Sequence, residues 1–175
     1  MGGGYIRTYN NSGRETSYLG TGSDNSGQLR IYDKQGETRS YLGDGYLQAY
    51  NQFGERTIFL GTGTNGGGYL RTYNFSGQES VYVGTGADSS GQIRIYDNTG
   101  ETGSFLGSGY FRTYNRFGKM TTFIGNATDG GGYLRTNNKF ETETAFLGTN
   151  NANEGLINLN DKFGQSFWIR LNKKN

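Results

Sequence analysis

The stretch Gly4-Tyr-Ile-Arg-Thr-Tyr-Asn-Asn-Ser-Gly-Arg-Glu-Thr-Ser-Tyr-Leu-Gly20 decides the fold, because it recurs along the whole chain. Further copies, with substitutions, begin at Gly27, Gly45, Gly68, Gly91, Gly109, Gly132 and Gly155. The intervals between copies are 23, 18, 23, 23, 18, 23 and 23 residues, and the first three sum to a longer repeat of 64 residues. Repetition at this period is typical of proteins whose units bury apolar side chains against their neighbours. We therefore expect a single repeat domain over residues 1–175, made of eight units.

The first half of each copy alternates between two kinds of side chain, which predicts a β-strand. The second and fourth residues after the glycine are mostly aliphatic or small, as Ile6 and Thr8 illustrate. We expect these residues to form the buried face of the strand. The first, third and fifth residues point to the opposite face and are Tyr or Gln, then Arg, then Tyr, as in Tyr5, Arg7 and Tyr9.

Each first strand is followed by Asn or Asp, two variable residues and Gly, as in Asn10-Asn-Ser-Gly13. An Asn or Asp side chain accepts a hydrogen bond from the backbone two residues later, and Gly adopts the left-handed conformation that closes the turn. In the seventh copy Glu141 stands in place of Gly, so we expect that turn to be strained or differently shaped. A second strand follows and ends in an aromatic residue, an aliphatic residue and Gly, as in Tyr18-Leu-Gly20. Its aliphatic residue is expected to join the buried face.

The pattern predicts an all-β protein with two strands per unit, and two architectures fit it. In a β-solenoid each unit is one coil, and like residues stack about 4.8 Å apart along the axis. In an antiparallel array each unit is a hairpin whose loop has Gly at the left-handed position. We favour the solenoid, since coil-on-coil stacking explains why Tyr, Arg and Asn recur in register.

With its alternating first strand, Asn/Asp-x-x-Gly turn and Leu-Gly ending, the unit resembles the Gly-x-Leu-x-Val-x-Asn-x-x-Gly-x-x-x-x-x-Leu-Gly repeats of bacterial surface proteins and phage tail-fibre shafts. The resemblance covers nearly the whole chain. It implies a fibre-forming, extracellular protein on a cell surface or virion.

Composition excludes several kinds of chemistry. The chain contains 32 Gly and 14 Tyr but no Pro, Cys or His, so thiolate nucleophiles, imidazole bases and the usual zinc ligands are missing. A net charge of +2 does not suggest a nucleic-acid partner. The sequence shows neither a signal peptide nor an apolar run of membrane-spanning length. We expect no catalytic residues, no metal site, no cofactor and no membrane insertion.

The strongest candidate binding surface is a stripe of Tyr and Arg on the strand face opposite the aliphatic residues. Arg between Tyr rings can bind sugars or anionic groups, and it can also join copies of the chain. The structural alternative is that the Arg side chains are neutralised by the nearby carboxylates Glu15, Glu37, Glu79 and Glu101. The stripe consists of Tyr5, Arg7, Tyr9, Arg30, Tyr32, Arg71, Tyr73, Arg94, Tyr96, Arg112, Tyr114 and Arg135.

The two ends of the chain differ. The last copy, residues 155–175, departs from the pattern and has Trp168 where Ser or Thr is usual, which predicts a C-terminal cap. The first copy shows the complete repeat pattern from Gly4 and no capping sequence, so we expect its strand to pair with another chain.

These features predict a non-enzymatic structural protein that self-associates as a fibre or filament subunit, through a stacked or trimeric homo-oligomer. The alternative is a multivalent carbohydrate-binding protein that uses the Tyr/Arg stripe.

Overall fold

The computed structural model describes residues 4–64, 66–128, 130–150 and 152–171, with side chains described as far as Trp168. All regular structure in these ranges is β-strand. The chain divides into two compact units, Met1–Ser89 and Ser90–Asn175. The prediction of a single repeat domain stays a prediction.

The first unit contains eight strands, and each pairs antiparallel with the next one in the chain. They are β1 (Ile6–Tyr9), β2 (Glu15–Thr21), β3 (Gly27–Tyr32), β4 (Thr38–Gly43), β5 (Tyr46–Tyr50), β6 (Arg56–Thr62), β7 (Gly68–Tyr73) and β8 (Glu79–Thr85).

The second unit has eight strands in the same arrangement. They are β9 (Gly91–Tyr96), β10 (Thr102–Gly107), β11 (Tyr110–Tyr114), β12 (Met120–Asn126), β13 (Gly132–Asn137), β14 (Glu143–Thr149), β15 (Gly155–Asn160) and β16 (Ser166–Leu171).

Each copy of the repeat is therefore a hairpin. The expectation of an all-β fold is confirmed, the preferred β-solenoid is wrong, and the alternative hairpin array is right. Antiparallel pairing sets equivalent residues of successive copies two strands apart, about 9.6 Å, instead of one coil apart at about 4.8 Å. Both spacings produce the same recurrence in sequence, because both advance by one whole copy.

The turns within copies have the predicted mechanism. In the first copy, Asn10 Oδ1 accepts hydrogen bonds from the backbone N–H groups of Ser12 and Arg14, both at 3.0 Å. Gly13 closes the turn with φ 73°. A β-bulge follows at the same place, where Thr8 pairs with Ser17 but Tyr9 pairs with Glu15. Every hairpin within a copy shows this register shift.

The turn of the seventh copy is strained but not differently shaped. Glu141 occupies the left-handed region at φ 66°, and its N–H donates to the Asn138 carbonyl at 3.0 Å, as Gly13 does to Asn10. Side-chain contacts offset the strain, because the Glu141 carboxylate accepts hydrogen bonds from Lys119 Nζ at 3.0 Å and the Met120 N–H at 3.2 Å. These two hydrogen bonds hold the pKa of Glu141 below its usual value.

The connections between copies are also hairpin turns. Asp44 and Gly45 form a two-residue turn with φ values of 50° and 78°. Two successive positive φ values are characteristic of the type I′ turn, whose twist matches that of the flanking strands. The longer connections repeat the geometry of the turns within copies, since the Gly22 N–H donates to the Ser26 carbonyl at 2.7 Å.

The predicted buried face is not buried. Leu19, Leu42 and Leu60 are 50%, 48% and 51% exposed. Among the described residues, the one buried hydrophobic side chain is Phe123, which is 5% exposed and lies on the opposite face. The expectation that aliphatic ladders form the core is therefore wrong. A sheet has two faces, and alternation in sequence identifies them without deciding which one is covered.

The predicted C-terminal cap has ordinary backbone structure where it is described. Strands β15 and β16 form a hairpin with the same bulge as the other copies. Phe167 and Trp168 are 68% and 42% exposed. Residues 172–175 lie outside the described part of the chain, and both the cap and the pairing of the first strand stay predictions.

Candidate interaction surfaces on the two sheet faces

One face of each unit contains a run of stacked rings, which we call the aromatic ladder. Neighbouring centroids lie 5.1–5.7 Å apart in the first unit and 4.7–5.6 Å apart in the second, in the range of favourable ring stacking. The ladders consist of Tyr41, Tyr46, Phe59, Tyr69 and Tyr82 in the first unit, and Phe105, Tyr110, Phe123, Tyr133 and Phe146 in the second. We call this surface the aromatic face.

In the first seven copies, the glycine near the end of the second strand makes room for the ladder. A Cβ on Gly61 would lie 2.6 Å from Tyr46 Cβ and 2.9 Å from Phe59 Cε1. A Cβ on Gly84 would lie 2.4 Å from Tyr69 Cβ. Real Cβ atoms do not approach that closely, so the Leu-Gly ending of the repeat is a requirement of ring packing.

The predicted Arg residues lie on the aromatic face, between the rings. The Arg112 guanidinium carbon is 4.2 Å from the Tyr110 ring centroid and 5.4 Å from that of Phe123. Arg71 has the same relation to Tyr69 and Tyr82, at 4.7 and 5.5 Å. These are cation–π distances, and the contacts recur because the Arg positions are in register with the second-strand aromatic residues.

Two of the four candidate carboxylates neutralise an Arg of the stripe. Arg7 forms an ion pair with Glu15, and Arg71 forms one with Glu79, each at 3.4 Å. Glu37, by contrast, directly follows the glycine of its turn, and it is an exposed residue. Glu101 is the corresponding residue of the fifth copy and is exposed as well. The structural alternative thus holds for Arg7 and Arg71.

The backbone register brings the whole predicted stripe onto the aromatic face. Tyr9, Tyr32, Tyr73, Tyr96 and Tyr114 lie at the bulge end of their strands, and Tyr5 lies at the glycine end. Burial raises the pKa of the ladder residue Tyr41 to about 12, with hydrogen bonds to Tyr46 and Asp44 adding to the effect. The Tyr41 hydroxyl therefore stays uncharged near neutral pH and does not offset the positive charge of the Arg side chains on this face.

The guanidinium groups are partly desolvated. Six Nε atoms are buried without a hydrogen-bond partner among the described residues, those of Arg30, Arg56, Arg71, Arg94, Arg112 and Arg135. Contact of an N–H group with an aromatic ring compensates only in part for a lost hydrogen bond. Five of the six Arg residues occupy the equivalent position of their copies, and Arg56 begins a second strand, so we attribute the unpaired Nε atoms to ring packing around the guanidinium stem.

The opposite surface, which we call the aliphatic face, is more exposed, and over β1–β15 its one charged residue is Arg39 at a bulge position, paired with Asp33. Apart from the bulge positions, the residues of β1–β15 that alternate onto it are aliphatic, small or hydroxyl-bearing, together with Phe111 and Asn126. Shallow grooves of about 860 and 530 Å³ cross it in the first unit. Leu19, Leu29 and Leu42 line the larger groove. Leu47, Leu60, Leu70 and Val83 line the smaller one.

A third surface lies at the turn tips and was not predicted from the sequence. Phe residues occupy a variable position of five turns and are 66–84% exposed: Phe53, Phe75, Phe117, Phe140 and Phe163. The last three follow Arg116, Lys139 and Lys162, whose charged groups lie 4.8–4.9 Å from the ring centroids. The signal was present in the sequence, because Phe is unusual at the tip of a solvated turn.

Comparison with known proteins does not assign the chain to a family. The sequence matches no family model, and no curated protein is significantly similar to it. Within the described ranges no helix is long and apolar enough to cross a membrane. The same residues contain no cluster of three acidic side chains suited to a metal ion.

Proposed function

We propose that the protein is a non-enzymatic structural protein that self-associates as a fibre or filament subunit. The observation that supports this proposal is the exposed aliphatic face, which over β1–β15 carries no charge outside a bulge position. Monomeric soluble proteins rarely expose contiguous apolar patches larger than a few hundred Å², and larger patches mark interaction sites. Here the exposed aliphatic residues recur in hairpin after hairpin.

The energetics favour covering this face. Burial of apolar surface contributes about 25 cal/mol per Å², so a row of half-exposed Leu and Ile side chains stores a large driving force for association. Catalysis has no comparable support, since the stripe residues that repeat are used in ring packing and ion pairs.

Self-association is tested by sedimentation velocity over a wide concentration range, together with negative-stain electron microscopy. The proposal predicts regular multimers or threads that grow with concentration. A discrete monomer at every concentration would contradict it.

The proposed location, on a cell surface or virion, rests on the resemblance of the repeats to surface and tail-fibre proteins. Immunogold labelling of intact cells or purified particles tests this part separately. Gold on the outer surface is the expected result, and gold confined to sectioned cell interiors would exclude it.

A multivalent carbohydrate-binding protein is the second candidate. The observation that favours it is the partial exposure of the stripe, since the Arg7 and Arg71 side chains are 40% and 38% exposed. Most ring faces of the ladders are occupied by other rings, however, and sugars bind to free ring faces. Retention on immobilised anionic glycans, lost in Arg71→Gln with Arg112→Gln, would support this candidate over the first.

A further inference from the structure

We infer that the aliphatic face of one protein molecule packs against the aliphatic face of a second molecule, with both aromatic faces turned outward. This inference rests on the proposed function, because it names the surface and the partner through which self-association occurs. The assembly unit is then a pair of protein molecules joined as a two-layer β-sandwich.

The chemistry of the face selects its partner. Over β1–β15 the face has no charge outside the bulge positions, where Arg39 is already paired with Asp33. These strands offer no free ion pair to a charged partner, and a polar partner would lose hydrogen bonds to water without replacement. The aliphatic face of a second molecule loses no such hydrogen bonds when it binds. Beside the aliphatic row runs a row of hydroxyl groups, such as Thr8 and Ser17, whose Oγ atoms lie 2.7 Å apart. These hydroxyls are already hydrogen-bonded within the chain.

The amount of exposed surface agrees with an interface of this kind. A specific interface of ordinary size buries about 800 Å² on each partner, around an apolar centre. Among the described residues of the first unit, eight aliphatic side chains on this face are 38–63% exposed: Ile6, Leu19, Ile31, Leu42, Leu47, Ile58, Leu60 and Val83. The second unit adds six that are 36–52% exposed: Ile93, Ile95, Leu106, Ile124, Leu147 and Ile157. These side chains supply the apolar centre that such an interface needs.

The grooved shape of the aliphatic face also suits packing against a second sheet. Two packed sheets lie about 10 Å apart, with side chains from their inner faces interdigitating. The grooves lined by Leu19, Leu29 and Leu42, and by Leu47, Leu60 and Leu70, are the recesses into which leucines of another copy can insert. Because both partners present the same surface, the contact is isologous and related by a two-fold axis.

The direct test replaces three aliphatic residues of the second unit by threonine, as Leu106→Thr, Ile124→Thr and Leu147→Thr together. These side chains are 49%, 45% and 52% exposed, and threonine suits a strand and already occurs on this face. We expect the apparent dissociation constant to rise at least tenfold in sedimentation velocity. Unchanged association of this variant, with native circular dichroism, would overturn the inference.

The matched control removes at least as much exposed apolar area from the turn tips of the same unit. It is the triple variant Phe117→Thr, Phe140→Thr and Phe163→Thr, whose side chains are 66%, 73% and 73% exposed. We expect this variant to associate like the wild type. If the turn-tip variant dissociates and the aliphatic variant does not, the interface lies at the tips and the inference is wrong.

A second measurement needs no destabilising change. The chain has no cysteine, so Leu60→Cys on the aliphatic face and Ser76→Cys in a turn each accept a single acrylodan label, whose emission moves to shorter wavelength when water is excluded. Association is expected to shift the emission of the Leu60→Cys label only. If the wild type stays monomeric, the proposed function and this inference fail together. If it forms multimers without a shift at Leu60→Cys, only the inference fails.

Discussion

The two faces of the same strands differ in how far one layer can bury them. Phe123 and Ile124 are adjacent in β12 and point to opposite faces, yet Phe123 is 5% exposed and Ile124 is 45% exposed. A flat ring on the aromatic face is covered by the rings and Arg stems of the neighbouring strands. A branched aliphatic side chain is too short to be covered in this way. The comparison shows that a stacked ring such as Phe123 can be buried within one layer, whereas the aliphatic side chain beside it needs a second layer for cover.

The largest predicted effect separates these two adjacent residues. Phe123→Ala should lower the free energy of unfolding by about 3 kcal/mol, since it removes a buried ring from the ladder. Ile124→Ala should cost about 1 kcal/mol or less when the chain is monomeric, because half of that side chain is already in water. Urea unfolding at low protein concentration measures both. Equal losses, or a larger loss for Ile124→Ala, would contradict the comparison.

The second prediction concerns the space under the rings. A Cβ on Gly125 would lie 2.5 Å from Tyr110 Cβ and 3.0 Å from the Gly109 carbonyl oxygen, whereas a Cβ on Gly132 meets nothing within 4 Å. We expect Gly125→Ala to destabilise the fold by about 2 kcal/mol through overpacking. Gly132→Ala should change stability by less than about 0.5 kcal/mol. Thermal unfolding of the pair tests this, and similar melting temperatures would show that the ladder tolerates a Cβ.

The third prediction sharpens the comparison by extending the ladder. Gln28 stands where other copies have Tyr, and it separates the Tyr5–Tyr18 pair from the five-ring ladder that begins at Tyr41. Gln28→Tyr should raise stability by about 0.5–1 kcal/mol through added ring contacts. Gln28→Leu is the control, since it adds apolar surface without a ring. A Leu variant as stable as the Tyr variant would show that stacking contributes nothing.

The smallest effect is a pH dependence that belongs to the turns and to neither face. Hydrogen bonds from the Thr99 hydroxyl and N–H and from the Glu101 N–H lower the pKa of Asp97 in the folded protein. A lowered pKa stabilises the fold above the unfolded value, near 3.8, and this contribution is lost as the pH falls through the folded value. Melting temperature between pH 2 and pH 7 should therefore fall less in Asp97→Asn than in the wild type. Parallel profiles would exclude Asp97 as a contributor.

The sequence predicted the local structure well, because local chemistry determines it. Asn10 and Gly13 specify their turn through one side-chain cap and one left-handed φ, whatever the rest of the chain does. The hairpin array could not be separated from a solenoid, since Tyr18 and Tyr41 recur at the same interval in both. That choice depends on pairing between copies.

The site was predicted in part. Alternation in sequence correctly assigned Tyr18 and Leu19 to opposite faces, but the general preference of Leu for the interior gave the wrong face as the core. The reason is that ring stacking depends on how neighbouring strands pair, as between Tyr46 and Phe59, and alternation along a single strand does not reveal it. The exposed Phe residues at the turn tips were overlooked because they occupy positions that vary between copies.

The most direct test of the central claim follows methyl groups of Leu, Ile and Val by nuclear magnetic resonance with a soluble paramagnetic agent, from dilute to concentrated protein. The account predicts strong relaxation of the Leu60, Leu106 and Ile124 methyls in dilute solution, and protection of these methyls as copies associate. Methyl groups already protected in the dilute monomer would show that the aliphatic face is an ordinary core. Methyl groups still accessible in the assembled protein would show that another surface joins the copies.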